Sequence, residues 1–271
     1  MEKLKMGGIS FTCGRWPFDP EKSTLVFIHG AASNNIFWNA QVEGLSEAFN
    51  TVAVDLPGHG ASAGQGKSDI AGYADMVTEF MDVIQPPLPI PCGLSMGGAI
   101  TQRLILDHPD RFSAGILINT GARLKVTPLI FELIEKKYAD FVKSIFSMAI
   151  SAKTDIKRLR PEIEASTQCQ PAIASGDFRA CDGFDVTAEL SRIEIPILVL
   201  AATDDKLTPV KYGMFLSDNI KNAELMTIRD AGHFSPMEKP HEVNRAIYDF
   251  LNRAIIQTVH MKEKDNRKNR N

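Results

Sequence analysis

What the 271-residue chain lacks narrows the field before any motif does. It lacks a charge of one sign: 30 Lys and Arg stand against 33 Asp and Glu, a formal net charge of −3. No overall basic field therefore draws nucleic acid or an anionic membrane surface. It lacks an uncharged apolar stretch of about 18 residues, so no membrane-spanning helix is expected. Its opening, MEKLKMGGISFTCGRW, lacks an apolar run of signal-peptide length. It is poor in cysteine, and Cys13, Cys92, Cys169 and Cys181 form no C-x-x-C pair. Scattered cysteines without an export signal point to reduced thiols in a cytoplasmic setting, with a Cys169–Cys181 disulfide as the disfavoured alternative. No internal repeat is present. Nothing in the pattern calls for a metal or a cofactor, and the oligomeric state is not written in it.

What is present reads as an ordinary globular enzyme, 44% hydrophobic and 23% charged. Short apolar runs recur, each ending in a turn signal: Leu25–Ile28 before His29-Gly30, Val52–Val54 before Asp55-Leu56-Pro57-Gly58, Ile90–Leu94 before Ser95, Gly115–Ile118 before Asn119-Thr120-Gly121, Ile197–Ala202 before Thr203-Asp204-Asp205, and Leu225–Ile228 before Arg229-Asp230-Ala231-Gly232. Near-continuous apolar runs of that length are strands buried on both faces, as in a parallel sheet. Helical patterns over Ile70–Ile84, Ala99–His108, Pro209–Ile220 and Pro240–Ala254 fill most of the gaps. The class is therefore α/β, a mostly parallel sheet flanked by helices.

The gap between the runs ending at Ile118 and starting at Ile197 is too long for a simple crossover. Thr127-Pro128 has the form of an N-cap followed by proline at the first helical position. Apolar residues from Leu129 to Phe146 then recur at helical spacing, and Thr154-Asp155 marks a second start. A helical insertion after a central strand sits over the C-terminal strand ends, where such sheets bind ligands. The expected division is a core of residues 1–120 and 191–257, a helical cap over 121–190, and a charged, disordered tail over 258–271. Phe131, Phe141, Phe146 and Phe178 are the cap aromatics that serve either its core or a pocket.

Gly93-Leu94-Ser95-Met96-Gly97 is a G-x-S-x-G set between an apolar run and a helical one. In that strand–turn–helix setting the serine sits on a sharp turn, the glycines allow close backbone approach, and the hydroxyl stands at a helix N-terminus. A serine hydroxyl needs a base. His29 and His59 lie in tight glycine turns, His108 ends a helix before Pro109, and His241 and His260 belong to the last helix and the tail. Only His233, in the loop after the last strand, is placed to reach Ser95. The base needs a carboxylate to fix its tautomer, and Asp204 and Asp205 are both candidates. The position after the run ending at Ile118 carries Asn119 and Thr120, so it offers no competing acid. Acyl transfer also needs amide donors for an oxyanion.

Together these motifs, with Asp55-Leu56-Pro57-Gly58-His59-Gly60-Ala61-Ser62, resemble the α/β-hydrolase superfamily over nearly the whole chain. The resemblance implies an α/β-hydrolase fold and a triad of Ser95, Asp205 and His233. Asp205 is preferred because it stands four residues before Pro209, as in the family's D-x-x-x-P. The resemblance also places the oxyanion-hole amides at Ala31, after His29-Gly30, and at Met96. Gly93–Gly98 and Asn119–Arg123 are most similar to the 3-oxoadipate enol-lactonase branch. The implied activity is a serine hydrolase acting on a small carboxylic ester or lactone, with no nucleic acid or membrane as partner. The alternatives are a C–C bond hydrolase of the same fold and a non-catalytic ligand receptor. Leu94 and Phe234 replace the asparagine and tryptophan usual in ring-cleavage C–C hydrolases, and Ser95 replaces the aspartate of dehalogenases. Pro89 and Pro91, in the run leading to Ser95, predict a shortened strand there.

Overall fold

The computed structural model describes the backbone of residues 1–268 and the side chains of residues 1–254; the expected disordered tail over 258–271 lies outside the side chains described. Eight strands form one sheet: β1 (Glu2–Met6), β2 (Ile9–Cys13), β3 (Thr24–Ile28), β4 (Asn50–Val54), β5 (Pro89–Leu94), β6 (Gly115–Ile118), β7 (Ile197–Ala202) and β8 (Ala223–Ile228). Their order is β1-β2-β4-β3-β5-β6-β7-β8. The six strands β3 to β8 pair in parallel, and only the β1–β2 hairpin and its junction with β4 are antiparallel.

The apolar runs are strands because both faces are covered. Along β3, Val26 and Ile28 join a core on one face with Tyr73, Phe80, Ile100 and Leu104, while Leu25 and Phe27 join the other with Trp38, Val42, Ile247 and Leu251. Side chains alternate across a strand, so only an unbroken apolar run can bury both sets. The first face is covered by α2 (Ile70–Ile84) and α3 (Met96–Asp107), the second by α1 (Asn39–Leu45) and the helix running Pro240–Lys268. Removing a buried ring such as Phe27 costs about 3–5 kcal/mol.

Between β6 and β7 lie four helices, α4 (Pro128–Lys136), α5 (Tyr138–Ala149), α6 (Ile156–Ser166) and α7 (Pro171–Gly183). Helices α4, α5 and α7 share a small core of Ile134, Phe141 and Ala174, with Leu133, Val142 and Phe178 packed against it, while α6 packs Ile163 on the main core. The remaining helices are α8 (Val210–Asn219), the turn-length α9 (Ser235–Glu238) and α10, the Pro240–Lys268 helix. No helix among the described residues is long and apolar enough to cross a membrane.

The structure departs from the sequence reading in four places. Strands β1 and β2 were not expected. Strand β5 is six residues long and not shortened: Pro89 and Pro91 pair with β3, and β6 joins only from Cys92 onward, so on that side neither proline removes a ladder bond. The apolar periodicity from Leu129 to Phe146 is broken at Lys137 into two helices. Thr127 occupies the N-cap position of α4, but its side chain makes no capping hydrogen bond.

Candidate active site

Ser95 stands at the junction of β5 and α3 with φ 55° and ψ −116°, a conformation outside the ordinary regions for a side chain with a Cβ. The surroundings hold it there. Its N–H donates to Ile118 O at 3.0 Å, and its carbonyl accepts from Ala99 N at 3.1 Å and Thr120 Oγ1 at 2.8 Å. The flanking glycines are required by space: a Cβ on Gly93 would lie 2.0 Å from Gly97 O, and one on Gly97 would lie 2.1 Å from Ile28 O.

His233 follows β8 and is nearly buried. Asn119 Nδ2 donates to its carbonyl and to Ser235 Oγ, both at 2.9 Å, while Asn119 Oδ1 accepts from Ala202 N at 2.9 Å. The ring Nδ1 lies 2.8 Å from Asp205 Oδ2. A carboxylate can only accept there, so Nδ1 carries a proton, and in that tautomer Nε2 is the nitrogen that offers a lone pair. Asp205 Oδ1 accepts from Leu207 N at 2.8 Å and Thr208 N at 2.9 Å, and Thr208 Oγ1 lies 2.8 Å from Oδ2. Burial pushes this carboxyl up, but the attraction its ionised form exerts on the His233 ring, the His233 hydrogen bond and these donors outweigh burial and hold it below its ordinary value.

Asp204 points elsewhere. Its Oδ2 accepts from Ser151 Oγ at 2.6 Å and sits 3.8 Å from Lys153 Nζ, both on the segment between α5 and α6. Of the two neighbouring carboxylates, only Asp205 faces the histidine.

Ser95 and His233 open on one cavity of about 290 Å³. No Ser95–His233 hydrogen bond is present among the described residues; contacts of this kind tighten when substrate binds. The His29–Gly30 loop forms the wall beside the serine: a Cβ on Gly30 would lie 3.4 Å from Ser95 Cβ. Neither the Ala31 nor the Met96 amide is taken by a protein acceptor among the described residues. Both therefore remain available to a ligand oxygen. Helices α4, α5 and α7 supply apolar walls, including Ile130, Phe141, Val142, Phe146 and Phe178. Apart from His233, the ionisable basic or acidic wall groups are Lys125 and Lys206. Phe131 is not on the wall; its ring lies under the Arg179 guanidinium, 5.8 Å from the centroid, which corrects its candidacy as a pocket residue.

The four cysteines are free, Cys169 and Cys181 included. Among the described residues, His59, Cys169 and Asp177 are the one set with metal-ligand spacing, their ligand atoms all within 4.8 Å. The Asp177 oxygens are already taken by protein donors. His29 and His59 are fully buried under the Gly30–Ala32 loop, so they do more than occupy turns. Sequence reasoning missed Thr208, Asn119 and Asp177. The first lies within the loop that carries Asp205 and had a local signal in the T-P that follows it; the others act across the fold.

The alpha/beta hydrolase family model matches residues 25–246. A 3-oxoadipate enol-lactonase of Acinetobacter baylyi is 27% identical over 86% of this chain and 90% of its own. A pimeloyl-[acyl-carrier protein] methyl ester esterase of Nitrosomonas europaea is also 27% identical, over 80% of this chain and 91% of its own. Among solved structures, a thermophilic esterase superposes with a TM-score of 0.78 at 29% identity, covering 93% of this chain and 97% of that one.

Proposed function

The chain belongs to the alpha/beta hydrolase family, and from that premise we propose that it cleaves a small carboxylic ester or lactone through an acyl-enzyme on Ser95. The observation that carries the reading is the convergence of three loops on one cavity: a strained serine, a histidine whose Nδ1 is held by a buried carboxylate, and two amides without protein acceptors. His233 Nε2 takes the Ser95 proton as Oγ attacks the carbonyl carbon. The Ala31 and Met96 amides hold the oxyanion, and His233 returns the proton to the departing oxygen. Water, deprotonated by the same histidine, then releases the acid. In a lactone the departing oxygen stays tethered to the product.

The wall chemistry supports a compact substrate with an apolar acyl part, uncharged or singly negative, since Lys125 and Lys206 stand where a carboxylate could be met. The names of the relatives, a lactonase and a methyl ester esterase, support the same bond type. Helices α4–α7 serve as the cap of the site, and the free cysteines support a cytoplasmic setting. The test is turnover of a chromogenic short-acyl ester with and without a serine-directed phosphonylating agent. Hydrolysis abolished by stoichiometric labelling of Ser95 is expected. No turnover of any ester or lactone by protein that labels at Ser95 would turn the reading toward a receptor.

A further inference from the structure

The Gly30–Ala32 loop rests on a buried charge cluster supplied partly by the insertion. Asp177, on α7, is 0% exposed. Its Oδ2 accepts from Ala32 N at 2.7 Å and faces His59 Nε2 at 2.8 Å, and its Oδ1 accepts from Tyr73 Oη at 2.5 Å. The second His59 nitrogen, Nδ1, faces Pro57 O at 3.1 Å. A carbonyl and a carboxylate both only accept, so both ring nitrogens donate and His59 is an imidazolium. Burial works against that charge, but the bond to Asp177, the adjacent Cys169 sulfur and the carboxylate's field prevail and raise His59 to about 10.

A second buried ring lies on the first, with centroids 4.9 Å apart. Leu56 N donates to His29 Nε2 at 3.1 Å, which leaves Nδ1 as the protonated nitrogen, 2.8 Å from Gly30 O. That carbonyl belongs to the same peptide unit as the Ala31 N–H. His29 therefore fixes the plane of the Ala31 amide, whose residue lines the cavity, and a donor on its carbonyl also polarises its N–H. The next peptide unit carries the Ala32 N–H, and Asp177 holds it. Ala32 sits at φ 55°, which a non-glycine residue keeps only when its surroundings impose it. Both peptide planes flanking the Ala31 Cα are thus set by buried side chains, one of them reaching in from the insertion.

We propose that Asp177 is a positioning residue for the oxyanion hole: by holding the Ala32 amide at its left-handed turn, it aims the Ala31 amide beside Ser95 and makes the hole depend on the seating of α7. This rests on the reading of Ser95 as nucleophile. Without the carboxylate, Ala32 relaxes toward negative φ and the peptide before it rotates. The loop stays docked, because Ser33 Oγ still donates to Ser166 O and Asn34 Nδ2 to Ala165 O, at 3.0 and 2.9 Å.

The experiment compares Asp177→Ala, Asp177→Asn, Tyr73→Phe and Ser95→Ala on one chromogenic ester, reading kcat, KM and melting temperature. An oxyanion donor lost outright costs about 10²–10³ in kcat, so a misaimed one is expected to cost roughly 10- to 100-fold in Asp177→Ala. KM should move by less than about threefold. Asp177→Asn keeps an oxygen for Ala32 but loses the charge opposite His59, and is expected to lie between, with about a fivefold loss. Tyr73→Phe removes another partner of the same carboxylate without touching the loop, and should lower the melting temperature while leaving kcat in place. Kcat within twofold of wild type in folded Asp177→Ala overturns the proposal, as does the same result in Asp177→Asn should the alanine variant not fold. So does a Tyr73→Phe kcat loss equal to that of Asp177→Ala, which would mark the cluster as stability alone. Activity retained in Ser95→Ala would instead sink the nucleophile reading, so the two failures are distinguishable.

Discussion

Asp205→Asn is the sharpest perturbation of the proposed triad, because the structure dictates which way the new amide must turn. Asp205 Oδ1 accepts two backbone N–H groups, from Leu207 at 2.8 Å and Thr208 at 2.9 Å. An asparagine must leave its oxygen there, since turning the NH₂ toward two donors would strand all three groups in a buried site. The NH₂ then faces His233 Nδ1, which was 2.8 Å from Oδ2, and the ring can meet it only as an acceptor. The proton moves to Nε2, so the nitrogen facing the cavity no longer has a lone pair to take the serine proton. A misassigned tautomer costs about 10⁴ in a related triad, equivalent to about 5.5 kcal/mol of barrier. The neighbouring Asp204→Asn removes a charge met by Ser151, Thr203 and Lys153, none of which touches His233. It should leave turnover within about threefold and stability little changed. The assay is kcat/KM on a chromogenic ester for both variants, with folding checked by melting temperature. A loss below tenfold in Asp205→Asn, or a larger loss in Asp204→Asn, would refute the tautomer argument.

Further outcomes follow from the same geometry. Ser95→Ala should fold, lose covalent labelling by a fluorophosphonate, and lose about 10⁴ to 10⁶ in turnover; undiminished ester turnover would remove Ser95 as nucleophile. Alanine at Phe141, Phe146 or Phe178 should reorder an acyl-length panel by roughly 10- to 200-fold without abolishing activity, whereas Phe131→Ala, off the wall, should keep the wild-type ranking. If all three wall variants keep that ranking, the walls do not select the acyl group. Stability should fall as pH rises from 6.5 to 10, because folded His59 holds a proton that the unfolded ring has lost; at about 1.4 kcal/mol per pH unit of separation the decline amounts to as much as about 5 kcal/mol. Asp205, held below its ordinary value, acts in the opposite direction: its contribution is present above the unfolded carboxylate range and is lost as pH falls through the folded value. Urea titrations at pH 7 and 9.5 check the alkaline limb, and Asp177→Asn should flatten it.

How legible this molecule was in its sequence depended on whether a feature's partners were local. Strands β3 to β7 were readable because both faces are buried, which forces unbroken apolar runs such as Leu25–Ile28 and Ile197–Ala202, while the half-buried edge strand β8 showed only in Leu225–Ile228. The hairpin of β1 and β2 went unread because β1 is an edge strand with Glu2, Lys3 and Lys5 exposed, and its inner face is only Leu4 and Met6, too short an apolar alternation to stand out as an unbroken run does. The available signals were the alternation of Ile9, Phe11 and Cys13 in β2 and the Gly7-Gly8 turn, with φ 56° and 82°, which the tight hairpin needs. Ser95 and His233 were readable because the elbow and the loop after the last strand carry their own glycines. The choice between Asp204 and Asp205 needed the family pattern, and the geometry gives its reason: Ser151 takes one carboxylate and His233 the other. Asp177 could not be found that way. Its partners Tyr73, His59 and Ala32 are 104, 118 and 145 residues away, and an aspartate inside a helix carries no mark of them.

The same long-range contacts bear on whether the insertion opens as a lid. On one side Asp177 holds the Ala32 amide and His59. On the other, Glu238 takes Ser151 N at 3.0 Å and Gly232 N at 2.9 Å, joining the segment after α5 to the residue before His233. Lifting the whole insertion as a rigid body would break both attachments and leave a buried imidazolium without its carboxylate. Removing one partner of a buried pair costs about 3–5 kcal/mol, before the lost bonds at Glu238 and the apolar walls are counted. A population carrying that penalty is below about one molecule in a hundred. Whole-lid opening is therefore a costly route for each turnover, and the walls meet substrate largely as they stand. Specificity then follows from the shape of a pre-formed cavity, and wall substitutions should change which acyl group fits more than how fast a fitting one reacts.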